Sequence, residues 1–196
     1  MLGNDIIDIA ETKARTNWQR QGFLDKLFSP YEKNKIQESL NPFHLVWRLW
    51  SMKESAYKVS IQSGYPRLFN PSSIHCKIIS SKKGLISIGG IDLSSETRIN
   101  QEYILTVASP TNNSIITTKI LKLHTHNFKA QQKVLYQQIL AQVALELQFS
   151  KDELTIQKTN LNIPYISYKN KKIESHLSIS HHGKYGVFSL NTNQNI

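Results

Sequence analysis

Three groups of residues have the types and spacing to do chemistry. Glu54 and Lys58 stand one helical turn apart in the run Trp50-Ser51-Met52-Lys53-Glu54-Ser55-Ala56-Tyr57-Lys58. At about 100° per residue, Glu54 projects into an apolar stripe between Trp47 and Trp50, with Lys58 one turn further along. A carboxylate there is costly to desolvate unless it is paired or bound to a cation. Two outcomes stay open: an i, i+4 pair with Lys58, worth about 0.2–0.5 kcal/mol to the helix, or a cation site. Asp5 poses the same question. It interrupts an apolar strand close to Gly3, which permits close approach by a ligand or another backbone, and it is either an edge or capping acid or a ligand. Asp8, just before a helix, reads as a cap. Two isolated acids on separate elements suit a hard cation that takes oxygen ligands. No His/Cys cluster has zinc spacing, and His124 and His126 read as surface residues. The third group is Ser178-Ile179-Ser180-His181-His182-Gly183-Lys184-Tyr185, a strand ending in two histidines, a glycine and a lysine. It is either a phosphate-binding tip or a polar hairpin turn. No serine–histidine–acid order typical of hydrolases accompanies it.

These side chains need elements to hold them. Residues 2–9 form an apolar run broken by Asp5 and Asp8 and predict a short strand. Residues 12–39 carry helical patterning with a break at Ser29-Pro30, where serine caps and proline opens a helix. Asn41-Pro42 repeats that signal and predicts a helix to residue 61. On it Leu45, Leu49, Met52, Ala56 and Val59 make one apolar stripe. Val46, Trp47, Trp50, Tyr57 and Ile61 make a second, so the helix is packed on two sides and helps glue two halves together. Gly64, Pro66, Asn70 and Pro71 mark a loop. Strands follow at 74–79, 85–88, 103–108 and 115–123, with residues 110–114 a turn or the join between halves. A second helix at 129–149, a strand at 154–157, a loop at 160–164 and a hairpin across 177–190 complete the chain. Helix-then-strands twice, without an obvious sequence repeat, predicts an α+β protein of two similar-sized halves.

Composition narrows the class. The 196 residues, 39% hydrophobic, support a packed core. A single cysteine, Cys76, excludes an intrachain disulfide framework and suits a reducing cytoplasm. Met1–Asp5 carries acid where a signal peptide needs a basic region, and no apolar stretch approaches transmembrane length, so no membrane role is expected. The formal net charge is +10, and residues 110–196 hold ten lysines, no arginine and four acids. Such a surface attracts phosphorylated ligands, acidic proteins, anionic membranes or nucleic acid, or is simply a solubilising face. Aromatics are not interleaved with the lysines in an RNA-binding pattern, which leaves no nucleic-acid partner as the expectation.

Taken together, these residues resemble the 4′-phosphopantetheinyl transferase superfamily. Gly3-Asn4-Asp5-Ile6-Ile7-Asp8-Ile9 resembles the G-x-D strand of holo-acyl-carrier-protein synthases. Phe28-Ser29-Pro30-Tyr31-Glu32 resembles F-[ST]-x-x-E, Trp50 to Lys58 matches W-[ST]-x-K-E-[SA]-x-x-K, and Ser178-Ile179-Ser180-His181 matches S-x-S-H. The helix motif is specific; the others are weak alone. In long, surfactin-synthetase-type enzymes S-x-S-H precedes G-x-D. Here it closes the chain, yet residues 128–190 resemble the N-terminal half of the long type. The resemblance implies a long-type enzyme with permuted halves, residues 1–112 and 113–196. Each half would carry a long helix on a small antiparallel sheet, and a pseudo-twofold would relate the two. With both halves in one chain, a monomer is expected rather than the trimer of the short synthases.

The resemblance also implies roles. Asp5 and Glu54 would hold Mg²⁺ against the coenzyme A diphosphate, and Lys58 would contact phosphate and neutralise transition-state charge. His181 would bind the nucleotide end, Ser180 would shape that turn, and Lys53 is a further phosphate contact. The serine of an acyl or peptidyl carrier protein would attack the β-phosphate and expel 3′,5′-ADP. Glu54, directly or through a metal-bound water, would take the serine proton. Fatty acid biosynthesis is one pathway such carriers serve. Lys13, Arg15, Lys26 and Arg48 are either contacts for an acidic carrier or ordinary surface residues. There are departures: Ile7 stands where long-type enzymes often have a second acid, and Ile163 in Asn162-Ile163-Pro164-Tyr165 stands where they have the G-K-P lysine. The second half has no arginine for nucleotide phosphates, with Lys129 or Lys133 as candidate substitutes. These gaps motivate the alternative of a non-catalytic carrier-protein or nucleotide-binding module; intact Asp5, Glu54 and Lys58 argue against it.

Overall fold

The long helix predicted from residue 41 forms because Asn41 caps it, its side chain accepting from the His44 N–H at 3.1 Å, and Pro42 opens it. In the computed structural model, which describes residues 1–110, 115–125 and 127–192, that helix runs Pro42–Gln62 (α4). Before it come β1 (Gly3–Asp8) and three short helices, α1 (Ile9–Arg15), α2 (Phe23–Leu27) and α3 (Pro30–Gln37). Ser29 and Glu32 close a reciprocal capping box at the start of α3. After α4 run β2 (His75–Ile78), β3 (Lys83–Ile88), β4 (Ile91–Ile99) and β5 (Tyr103–Ser109). They join β1 in an antiparallel sheet of order β1-β5-β4-β3-β2.

The rest of the chain is built on a second helix. It comprises β6 (Thr117–Lys122), α5 (Phe128–Leu147), β7 (Leu154–Lys158), β8 (Pro164–Tyr168), β9 (Lys171–Lys172), β10 (Ser175–His182) and β11 (Tyr185–Thr192). The strands form two three-stranded antiparallel sheets, β10-β11-β6 and β7-β8-β9. The protein is therefore α+β with antiparallel sheets and two long helices. The expected join at 112–113 and most of the 110–114 turn lie outside the described residues.

The core is divided into three. Val46, Leu49, Met52, Ala56 and Val59 of α4 pack on Ile7, Ile86, Leu93, Ile104 and Ala108 of the five-stranded sheet. Leu135, Ile139 and Val143, at i, i+4, i+8 on α5, pack with Ile166, Leu177, Phe188 and Leu190. Between the two, Ile6 and Leu105 meet Tyr185 and Val187. The seam is made by β1 and β5 against β10 and β11. Most of the second stripe on α4 turns away from the seam: Trp47 meets Phe23 of α2 edge-on, while Trp50 and Tyr57 pack on Phe69 of the loop that follows α4; only at the helix end does Ile61 line a cleft with β10 and Gln62 donate to the Leu177 carbonyl at 3.3 Å. Among the described residues, no helix is long and apolar enough to cross a membrane.

Two basic residues weighed as contacts for a ligand or partner have structural partners instead. Arg48 is buried and donates to the carbonyls of Ser80 and Lys83 at 2.9 and 3.1 Å, tying α4 to the β2–β3 turn. Lys53 is fully buried and is no phosphate contact. Its ammonium pairs with Glu32 Oε2 at 2.9 Å, donates to the carbonyls of Pro71 and Ile74, and lies over the Phe28 ring. Glu32 accepts in turn from the N–H groups of Ser29 and Cys76, both at 2.8 Å. The F-S-x-x-E segment and the W-x-x-K-E helix thus meet in one closed ion pair that fastens α3 and β2 to α4. Removing one partner of such a pair strands a buried charge. Glu32→Gln or Lys53→Met should each cost about 3–5 kcal/mol of stability. In urea unfolding the double variant should cost clearly less than the sum; strict additivity would show the two are uncoupled.

Candidate active site

Strand β1 alternates between two jobs. Gly3, Asp5 and Ile7 face α4. A Cβ on Gly3 would lie 2.0 Å from the Ser55 carbonyl oxygen and 3.2 Å from Lys58 Cβ, so only glycine lets the strand sit this close to the helix. The contact is sealed by Ser51 Oγ, which donates to the Asp5 carbonyl at 3.1 Å. Lys58 Nζ donates to the Asn4 carbonyl at 2.7 Å. Ile7, where a second acid was weighed, is buried in the α4 core.

Asn4 and Asp8 face the other half. Asn4 is fully buried. Its backbone N–H donates to Ser178 Oγ at 3.0 Å, and its amide donates to the Ser178 carbonyl at 3.0 Å and to Ser189 Oγ at 2.9 Å. Asp8 caps α1 through Oδ1, as expected, and its Oδ2 also accepts from the Lys184 N–H at 3.1 Å. The Asp8 N–H donates to His182 Nδ1 at 2.9 Å. Gly183, at φ +55°, presses on Asp8, which a Cβ would strike at 2.4 Å. The hairpin tip read as a possible phosphate cradle is therefore closed on Asp8.

These contacts bring Asp5, Glu54 and Lys58 together. Lys58 Nζ stands 3.9 Å from Asp5 Oδ1, so the lysine pairs with the strand acid and couples to Glu54 only through space. Among the described residues, Asp5 Oδ2 is buried without a hydrogen-bond partner. Burial pushes the Asp5 carboxyl up to about 7, against the pull of Lys58 and with a push from Glu54. Burial raises Glu54 as well, Lys58 opposing it, and burial lowers Lys58. Two desolvated carboxylates around one ammonium are under-compensated, and one has an oxygen with nothing to bind. A divalent cation fits that deficit. Among the described residues no three His, Cys, Asp or Glu side chains converge on a metal-sized site. Two carboxylates of this kind suit a hard cation that takes oxygen ligands and completes its shell from solvent or substrate.

His181 comes from the other half. It is half-buried against the Phe128 ring, 5.0 Å between centroids. Burial lowers its pKa first, then the charges of Lys58 and His182, so it lies within electrostatic reach of the Asp5–Lys58 pair. Ser180 does not shape the turn. It is buried within β10, its hydroxyl without a partner among the described residues. Sequence reasoning missed Asn4, whose only signal is a buried-type amide inside an apolar strand, and Glu32, hidden in the F-S-x-x-E segment.

An α+β protein that gathers two buried acids, a lysine and a histidine where its sheets meet has a cluster able to take a cation and an anionic ligand together. Residues 1–108, more than half of the chain, match the family model of the 4′-phosphopantetheinyl transferase superfamily, and the chain belongs to it. Proteins of this superfamily carry out phosphopantetheinyl transfer, using coenzyme A, carrier proteins and typically a metal. The match ends before β6, so the S-x-S-H segment lies outside it. No curated protein matches the chain.

The seam titrates. His182 accepts at Nδ1 and must be neutral to do so. Burial lowers its pKa from 6.5, with Asp8 and Glu11 opposing and Arg15 adding to the effect. The unfolded chain then binds the proton more readily, so this contribution is intact above about pH 6.5 and is lost as the pH falls towards the folded value. Urea midpoints of the wild type should drop between pH 7.5 and 5.5, and less steeply in His182→Gln, which retains an acceptor but does not titrate. Equal slopes would remove His182 from the seam's pH response.

Proposed function

We propose that the protein transfers the 4′-phosphopantetheine group of coenzyme A to a serine of an acyl or peptidyl carrier protein, as a holo-acyl-carrier-protein synthase does. The observation that carries this is a buried Asp5 carboxylate with one oxygen unpartnered among the described residues, paired with Lys58 through the other and electrostatically coupled to Glu54, with His181 in electrostatic reach. Asp5 and Glu54 hold Mg²⁺, which when bound supplies Lewis-acid polarisation of the diphosphate. Lys58, fixed by the Asn4 carbonyl, places its ammonium where charge builds on the phosphoryl oxygens. The carrier serine oxygen bonds to the β-phosphorus and the bond to the 5′-phosphate oxygen breaks. Glu54, its pKa raised by burial, accepts the serine proton, and 3′,5′-ADP leaves with the electron pair. His181 orients the nucleotide end. Ser180, its buried hydroxyl free, is a further candidate contact there.

The setting follows from the same reading: a cytoplasmic enzyme, a basic face (+10 overall) that steers an acidic carrier, and a role in fatty acid biosynthesis or a related carrier-based pathway. Of the four basic residues weighed for the carrier, Lys13, Arg15 and Lys26 are exposed. Arg15 is paired with Glu11 at 2.8 Å, and Arg48 is buried.

Incubation with coenzyme A, Mg²⁺ and a panel of carrier proteins, read by intact mass, tests the reading. Wild type should add one phosphopantetheine to a carrier. Folded Glu54→Gln should add none, because the amide keeps the shape and loses the charge; near-normal turnover would sink the assignment. A second test addresses the proposed architecture, in which permuted halves, 1–112 and 113–196, complete one site in a monomer. Mixing folded Glu54→Gln with folded His181→Ala should leave activity lost. Recovery in the mixture would mean that sites are shared between chains.

A further inference from the structure

Resting on the coenzyme A reading above, we propose that Arg67 holds the 3′-phosphate on the nucleotide end of the substrate, an arginine supplied by residues 1–112 where residues 113–196 have none. A cleft of ≈ 140 Å³ opens between the end of α4, the loop after it, the 162–164 loop and β10. Lys58 lines it, as do Gln62, Ser178, Ile163 and Arg67. Its size is well below the roughly 300–1,000 Å³ of a pocket that encloses a whole ligand; it is the seat of an end group.

The two cations of this cleft differ in their commitments. Lys58 is engaged by Asp5 and by the Asn4 carbonyl, which directs it to the metal-binding carboxylates. Arg67 is exposed and has no ion pair or hydrogen bond among the described residues. Coenzyme A carries two separate anionic groups, a diphosphate and a phosphate monoester on the ribose. One cleft with an engaged lysine and a free guanidinium matches that pattern. The monoester is nearly dianionic at neutral pH, and a guanidinium fork can grip it bidentately. The alternative cations weighed from sequence do not reach this cleft. Lys129 and Lys133 are exposed on α5 and do not line it, and Ile163 presents an apolar side chain. Nothing in the sequence pattern marks Arg67, a lone basic residue in a Gly/Pro-rich loop; only the fold brings it to the 162–164 loop.

The test compares ligands that differ in that one phosphate. In calorimetry, Arg67→Ala should weaken 3′,5′-ADP binding about tenfold or more and leave 5′-ADP binding unchanged. Arg67→Lys should fall between the two, since a point charge lacks the fork. In turnover, Arg67→Ala should raise KM for coenzyme A with kcat little changed, and should leave KM for 3′-dephospho-coenzyme A as in wild type. An equal loss for both ligands of either pair, or no loss at all, overturns the assignment of Arg67 while leaving the transferase standing. A wild type that neither binds 3′,5′-ADP nor modifies a carrier overturns both.

Discussion

The buried amide of Asn4 is the constraint on which the rest depends. An amide taken out of water costs free energy unless its donors and acceptor are met, and every partner of this one lies about 175 residues away along the chain, on β10 and β11. Those bonds allow one alignment of β1 against the second half. A slip by one residue would put Asn4 against α4, where only Gly3 fits, and Asp5 into the apolar seam beside Tyr185 and Val187. The three letters of G-N-D therefore perform three different tasks on one short strand: approach to the helix, attachment of the second half, and presentation of a carboxylate.

Helix α4 shows the same economy with charges. Lys53 and Glu54 are neighbours in sequence and 100° apart on the helix, and that rotation separates their fates. Lys53 points into the first half and is satisfied by Glu32 and two carbonyls. Glu54 points to the seam, half-buried, with its charge under-compensated. A satisfied ion pair one residue away fixes the rotation of the helix and leaves the second carboxylate available to a ligand. The tight pairing and the open one need each other.

Much of this was legible beforehand, for identifiable reasons. The Ser29-Pro30 and Asn41-Pro42 starts were readable because capping is local chemistry. The clustering of Asp5, Glu54 and Lys58 was foreseeable from family resemblance and a carboxylate on an apolar stripe. Strand β4 was not foreseen, since its inward positions after Leu93 are Ser95 and Thr97, and a hydroxyl bond between Thr97 and Thr106 at 3.0 Å replaces the apolar alternation that announces a strand. Strand β8 begins at Pro164, the end of the predicted loop, and β9 has two residues, so neither was foreseen. The roles of Lys53 and Arg48 were missed because a long cationic side chain gives no sign in sequence of whether its partner is water or a buried carbonyl. The glue between the halves was assigned to α4 because its two stripes are visible, whereas a seam made by a strand edge through side-chain amides and hydroxyls has no periodicity to see.

Cys76 carries a consequence of its own. The thiol is sealed in the first-half core beside the Glu32–Lys53 pair, and burial raises its pKa far above the ordinary thiol range. The superfamily's substrate is itself a thiol, handled in a cell that also holds its disulfide form. Exchange between the two requires an accessible thiolate on the protein. The only sulfhydryl of these 196 residues offers none. A thiol-bearing ligand would therefore find no thiolate on this chain with which to form a mixed disulfide.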